Sequence, residues 1–241
     1  DTETKNNYIT VTSAVGCDTL NLPAPPAWTL VQYYTGTNGA NGWVNGCNNI
    51  ADREKAAYFD ASALPYTYLT GWFIGFGEAW SSNQAKQVPV KVYDGTTGSP
   101  GTLLATTTLT MGQIMQDESM NYYTDVIFAN PVLLPVSKRF FISVDIQNLS
   151  WTANPKDTLS IISNTNGQTI PSAVWEKKAA NNWVKYTQVG AWNLAISLLI
   201  HPILTNAPTI ATYTQSATTI CQGGSVNYDC TGSTFQDTLL W

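Results

Sequence analysis

The sequence predicts an all-β protein, an antiparallel β-sandwich, from three observations. Short apolar or alternating runs recur along most of the chain, each closed by Gly, Pro, Asn, Asp or Ser. Where a run is long enough to show a period, that period is two. Helical spacing is confined to one segment, Met111 to Met120, where Met111, Ile114 and Met115 line up; that segment reads equally as a turn between strands.

The expected strands follow in order. Ala56 to Phe59 and Tyr66 to Gly77 are apolar and aromatic runs between polar loops. In Val88 to Tyr93 the three valines share one face, and the Gly/Pro-rich stretch Asp94 to Gly101 turns the chain into Leu103 to Leu109 as a hairpin partner. The threonines of that second run suit a half-buried pleated surface. Tyr123 to Phe128 comes next. Arg139 to Ile146 alternates Phe140, Ile142, Val144 and Ile146 against Phe141, so it is expected at the centre of a sheet. Thr158 to Ile162, Ala173 to Glu176, Trp183 to Tyr186 and Trp192 to Ile200 complete the set. His201 and Pro202 then stand at the exit of the last strand.

A polar, Pro-containing break at 205–208 is expected to act as a linker. It separates a module spanning 1–204 from a tail, 209–241, which is too short to build its own core and either begins a further domain or adds strands to the first.

Composition removes several function classes. Charged residues are 11% of 241, against about 25% in ordinary globular domains. The 44% hydrophobic content is ordinary, so the chain is not of the disordered type. A net charge of −5 with two arginines, Arg53 and Arg139, offers no basic footprint for nucleic acid or for an anionic membrane surface. No stretch reaches the roughly 18 apolar residues of a membrane-spanning helix. The single histidine, His201, excludes His-rich zinc sites and is expected to be structural. No apolar leader precedes Asp1, so any export signal is expected to have been removed or never included in this chain.

The four cysteines lack metal spacing. A Cys17–Cys47 disulfide is preferred, since it would close a loop of about 30 residues, worth about 3–4 kcal/mol in the chain-entropy model; the pairing of Cys221 and Cys230 stays open.

Three stretches carry a resemblance. Gly42-Trp43-Val44, Asn48 to Phe59, and Val90 to Asp94 with Gly98 to Leu104, in that order, resemble a secreted β-sandwich module of large Bacteroidetes surface proteins exported by type IX secretion. Pro131 to Asp145, Ala173 to Glu176 and Trp192 to Leu194 extend the likeness. The tail, Ile220 to Tyr228 through Trp241, resembles the opening strands of a PKD-type Ig-like repeat. The resemblance implies a jelly-roll-like fold, a short C-terminal β segment from an incomplete Ig-like domain, and a secreted or cell-surface location within a longer protein. It brings no catalytic residues.

Nine tryptophans are the most usable chemical clue. Several must be core, but Trp80, Trp151 and Trp183 lie among Asn, Ser and Thr. A flat aromatic face ringed by amides and hydroxyls suits a sugar, whose CH face stacks while its hydroxyls hydrogen-bond. These three are the candidate ligand-binding residues, with a glycan or another surface protein as partner. Asp52, Glu54, Asp117, Glu118, Asp145 and Asp157 are oxygen donors of the kind calcium takes, but no Asp-x-Asp-x-Asp-Gly loop groups them, and no cofactor is expected. Asp52 to Lys55 reads as a solvated charge cluster. Glycoside hydrolysis needs two carboxylates; among five glutamates only Glu78 and Glu176 lie beside aromatics, and Glu176 is expected to pair with lysine or to face solvent. The expectation is a non-catalytic extracellular binding or adhesion module, with a structural spacer as the alternative and an enzyme third.

Overall fold

The computed structural model describes residues 29–30, 34, 45–152, 154–169, 173–188, 191–206, 214–215 and 228–229. The chain divides into two compact units, Trp28–Ala207 and a second formed by Asp1–Ala27 with Pro208–Trp241.

The first unit holds β1 (Thr29–Leu30), β2 (Asn45–Gly46), β3 (Glu54–Asp60), β4 (Tyr68–Ile74), β5 (Phe76–Trp80), β6 (Gln87–Asp94) and β7 (Leu103–Thr110). After α1 (Met111–Ser119) come β8 (Thr124–Leu133), β9 (Arg139–Asp145), β10 (Thr158–Ile161), β11 (Val174–Lys177), β12 (Trp183–Lys185) and β13 (Ile200–Thr205). These pair antiparallel into a six-stranded sheet, β12-β11-β3-β9-β6-β7, a four-stranded sheet, β1-β13-β4-β8, and a three-stranded sheet, β2-β10-β5. The chain changes sheet between β3, β4, β5 and β6, so strands such as β3 and β9 meet from distant parts of the sequence. The protein is thus an all-β antiparallel sandwich. In the second unit β14 (Thr214–Gln215) pairs with β15 (Tyr228–Asp229), a short C-terminal β segment.

Alternation places the core. Val88, Val90 and Val92 of β6, with Phe140, Ile142 and Val144 of β9, face inward and are fully buried. Opposite them, Leu69, Trp72 and Ile74 of β4 and Leu159 and Ile161 of β10 close the same core. Burying each large side chain contributes about 1.5–3 kcal/mol. Strand β9 is central, between β3 and β6, as its alternation predicts. Pro89 sits one residue beyond the β6–β9 pairing, where its missing N–H interrupts no bond on that side.

Three expectations are corrected, and the segment left open between helix and turn is decided. Tyr66 to Gly77 is not one strand: it breaks at Gly75, where a Cβ would lie 2.5 Å from Leu199 Cδ2, and the two pieces join different sheets. Met111 to Ser119 is a helix, capped by the Thr110 hydroxyl accepting from the Gln113 amide, with Met111 and Ile114 in the core. Trp192 to Leu199 is irregular; Asn193 has φ 51°, which no strand accommodates, and the strand starts at Ile200. His201 therefore lies near the start of β13, buried at the edge of the Tyr123 ring, 5.7 Å between centroids, and not at a strand exit. Burial holds its imidazole below the usual range.

Candidate functional site

Strand β5 ends at Trp80, and its antiparallel partner β10 begins opposite it at Thr158. The loop that leads into β10 therefore arrives beside Trp80. Together Glu78, Trp80, Asn154, Pro155, Lys156 and Thr158 line an open cleft of about 540 Å³. Trp80 is 41% exposed, large for an indole. A bulge in β5 explains this: Phe76 pairs with Ile161 and Glu78 with the adjacent Ser160, so the extra residue Gly77 reverses the alternation, Phe76 and Ala79 turn toward the core, and Glu78 and Trp80 turn outward.

Asp157 fixes the loop. Its carboxylate accepts from Lys86 Nζ at 2.6 Å, from the Ser150 amide at 2.6 Å and from Ser81 Oγ at 2.7 Å. One buried side chain so ties both ends of 150–157 to the turn after Trp80. Burial pushes the Asp157 carboxyl up, and these donors, Lys86 foremost, outweigh it and hold it below the usual carboxylate range. Trp151 rides on the same loop with Lys156 Nζ 3.9 Å from its ring centre, a cation–π contact. Lys156 thus joins the Trp151 ring to the cleft that Trp80 lines.

Of the three sequence-chosen tryptophans, Trp80 and Trp151 are linked in this way and Trp183 is not. Trp183 belongs to β12 of the six-stranded sheet, half-buried, edge-on to Tyr93 at 5.6 Å, with Lys177 Nζ 5.6 Å over its ring. It belongs to an aromatic group with Tyr58, Tyr93, Phe141 and Trp175 on the face away from the core. The sequence reading missed this group. The signal was available in the odd positions of β9 and β6, where Phe141 and Tyr93 oppose the buried set.

The segment Asp52 to Lys55 is not a solvated charge cluster. Lys55 and Glu54 are fully buried and Asp52 nearly so. Lys55 donates to Asp52 Oδ2 at 2.7 Å and to Glu176 Oε2 at 2.8 Å, while Trp192 Nε1 donates to the same Glu176 oxygen at 2.7 Å. Lys178 pairs with Glu176 Oε1. On the other face Glu54 accepts from Lys91, Lys177, the Tyr93 hydroxyl and the Ser143 hydroxyl. Asp145 takes Lys91 as well, at 2.7 Å.

The carboxylates named as calcium donors are thus engaged by lysines at Asp52, Glu54, Asp145 and Asp157, while Asp117 and Glu118 end α1. Among the described residues no group of three or more His, Cys, Asp or Glu side chains is arranged to hold a metal ion. Glu176 pairs with lysine, as expected, but inside the protein, away from any cleft with Glu78.

Cys47 Sγ lies 3.3 Å from the Asp157 carbonyl oxygen. Its expected partner Cys17, like Cys221 and Cys230, is outside the described residues.

No family model matches the chain, and no curated protein sequence matches it. Among solved structures it is similar to the cysteine protease and lectin-like domains of Cwp84, a surface layer associated protein of Clostridium difficile. The identity is 15%, the TM-score 0.41, and the match covers 65% of this chain and 32% of that one. The chain thus spans about a third of the length of that neighbour. Among the described residues no helix is long and apolar enough to cross a membrane.

Proposed function

We propose that this protein is a non-catalytic extracellular binding module that holds a glycan in the Trp80 cleft. The observation that carries this reading is the exposed Trp80 indole, 41% accessible, in an open cleft whose other walls are Pro155 and a carboxylate, an amide, an ammonium and a hydroxyl from Glu78, Asn154, Lys156 and Thr158. The indole offers a flat apolar face to the CH side of a sugar ring, and the polar walls offer donors and acceptors at its edge. Asp157 supports the reading by pinning the loop, so the wall is set before the ligand arrives. Trp151 extends the surface through Lys156. Trp183 takes no part in this cleft.

The lining residues include one carboxylate, Glu78, whereas glycoside hydrolysis places two across the bond to be cut. A secreted or surface-attached setting fits the low charge and the Thr/Asn-rich exterior. The Cys17–Cys47 disulfide and the boundary at 205–208 belong to the same proposal.

Retention of the full chain on insoluble polysaccharides and on a glycan array tests it. The expected result is retention on at least one polysaccharide, weakened tenfold or more by Trp80→Ala. No retention on any of them, or retention unchanged in Trp80→Ala, overturns the reading and leaves the spacer alternative.

A further inference from the structure

The Lys55 cluster is built like a site for amide formation. Lys55 stands directly opposite Glu176 on adjacent antiparallel strands, β3 and β11, in the row that faces the core. Its ammonium has no access to water and touches two carboxylates, Asp52 Oδ2 at 2.7 Å and Glu176 Oε2 at 2.8 Å. Around it stand the Tyr186 ring at 5.8 Å and the Trp192 ring at 5.9 Å from Nζ. In register the next residue along the row is Val144. A salt bridge placed among rings and a valine gains little over an apolar pair of the same volume, because two charges must be stripped of water. The neutral condensation product, an amide, removes that cost.

We propose that Lys55 and Glu176 form an intramolecular isopeptide bond that cross-links β3 to β11, with Asp52 as the proton carrier.

The chemistry balances within the cluster. Lys55 passes one proton to Glu176 by way of Asp52, leaving a neutral amine beside a neutral carboxylic acid. The amine attacks Glu176 Cδ, forming the Nζ–Cδ bond. Oε2 takes the negative charge of the tetrahedral species under the Trp192 N–H, already 2.7 Å away. Asp52 accepts the second proton from the nitrogen and delivers it to Oε1, the oxygen against Lys178. The Cδ–Oε1 bond breaks and one water leaves, so Asp52 ends as it began, and no oxidant or other reactant enters. Burial favours the neutral amine, whereas Tyr186, Glu176 and Asp52 hold the ammonium above its usual range in the unreacted pair, so proton transfer through Asp52 is the step that the site must assist. The cross-link is independent of the glycan reading, since Lys55 and Glu176 are not in the Trp80 cleft.

Intact mass spectrometry of the full chain, reduced and denatured, tests this directly. The expected mass is one water below that of the sequence, and tryptic digestion is expected to yield residues 54–86 joined to residues 157–177. Glu176→Ala and Lys55→Ala are expected to show the full sequence mass. Asp52→Asn, which keeps both reacting groups, is expected to slow the appearance of the lighter species at least tenfold. A parent protein at its full sequence mass overturns the proposal whether or not any variant folds. A cross-link joining residues 6–53 to residues 54–86 also overturns it, because the partner would then be Asp52.

Discussion

Glu54 and Lys55 are adjacent on β3, yet their side chains leave the sheet on opposite faces and complete two separate ion clusters. Lys55 pairs with Asp52 and Glu176 on the core face, and Glu54 pairs with Lys91 and Lys177 on the other. Each cluster is balanced: Asp52 and Glu176 against Lys55 and Lys178, Glu54 and Asp145 against Lys91 and Lys177. The period of two in a strand turns a run of neighbouring charges into two buried networks.

Breaking one network is costly because the remaining charges stay buried. Glu54→Ala leaves Lys91, Lys177 and the Tyr93 hydroxyl without their common acceptor. The expected loss is about 3–5 kcal/mol of folding free energy. Urea denaturation checks it, and an unchanged midpoint would contradict the burial described here.

Acid sensitivity follows from Asp157. Its carboxyl titrates lower in the folded protein than in the unfolded chain, so its contribution is full above the unfolded value of about 3.9 and disappears as pH falls through the folded one. In the uncross-linked pair, burial raises the Asp52 carboxyl but Lys55 outweighs it and holds it low, so Asp52 adds to the same window only until the Lys55–Glu176 amide forms. Melting temperature is expected to drop steeply below about pH 4. Asp157→Asn is expected to melt lower at neutral pH and to lose less on acidification. Circular dichroism melts across pH provide the comparison, and parallel curves for parent and variant would refute the assignment.

Gly71 permits close approach of β4 to β8. A Cβ there would lie 2.0 Å from the Val126 carbonyl oxygen, which is backbone and has no room to move within the sheet. Gly71→Ala is expected to cost about 3 kcal/mol, at the upper end of ordinary overpacking. A melting temperature within error of the parent would contradict that register.

The sandwich was legible because alternation survives in the strands that build the core: β6 and β9 are the runs Val88 to Tyr93 and Arg139 to Ile146, and β9 is central. Where tertiary contacts override or decide the local pattern, the reading erred or stayed open. The break at Gly75 depends on Leu199, distant in sequence. The helix at Met111 shares its spacing with a turn and is decided by the Thr110 cap and by the core beneath Ile114. Asp52 to Lys55 looked solvated because charges normally are, and its partners, Lys91, Ser143 and Glu176, come from other strands.

The candidate site was half legible. Polar neighbours picked out Trp80 and Trp151, whose surroundings are set locally by the loop before β10. The same rule picked Trp183, whose environment is set by Tyr93 and Lys177 from other strands.

Binding strength on the retaining polysaccharide, compared among the parent, Trp80→Ala and Trp183→Ala, tests the central claim most directly. Exposed Trp80 is expected to tolerate removal at about 1 kcal/mol of stability, so all three proteins can be compared folded. The account predicts a dissociation constant raised tenfold or more in Trp80→Ala and within twofold of the parent in Trp183→Ala. Equal affinities in parent and Trp80→Ala, or a loss confined to Trp183→Ala, would contradict it.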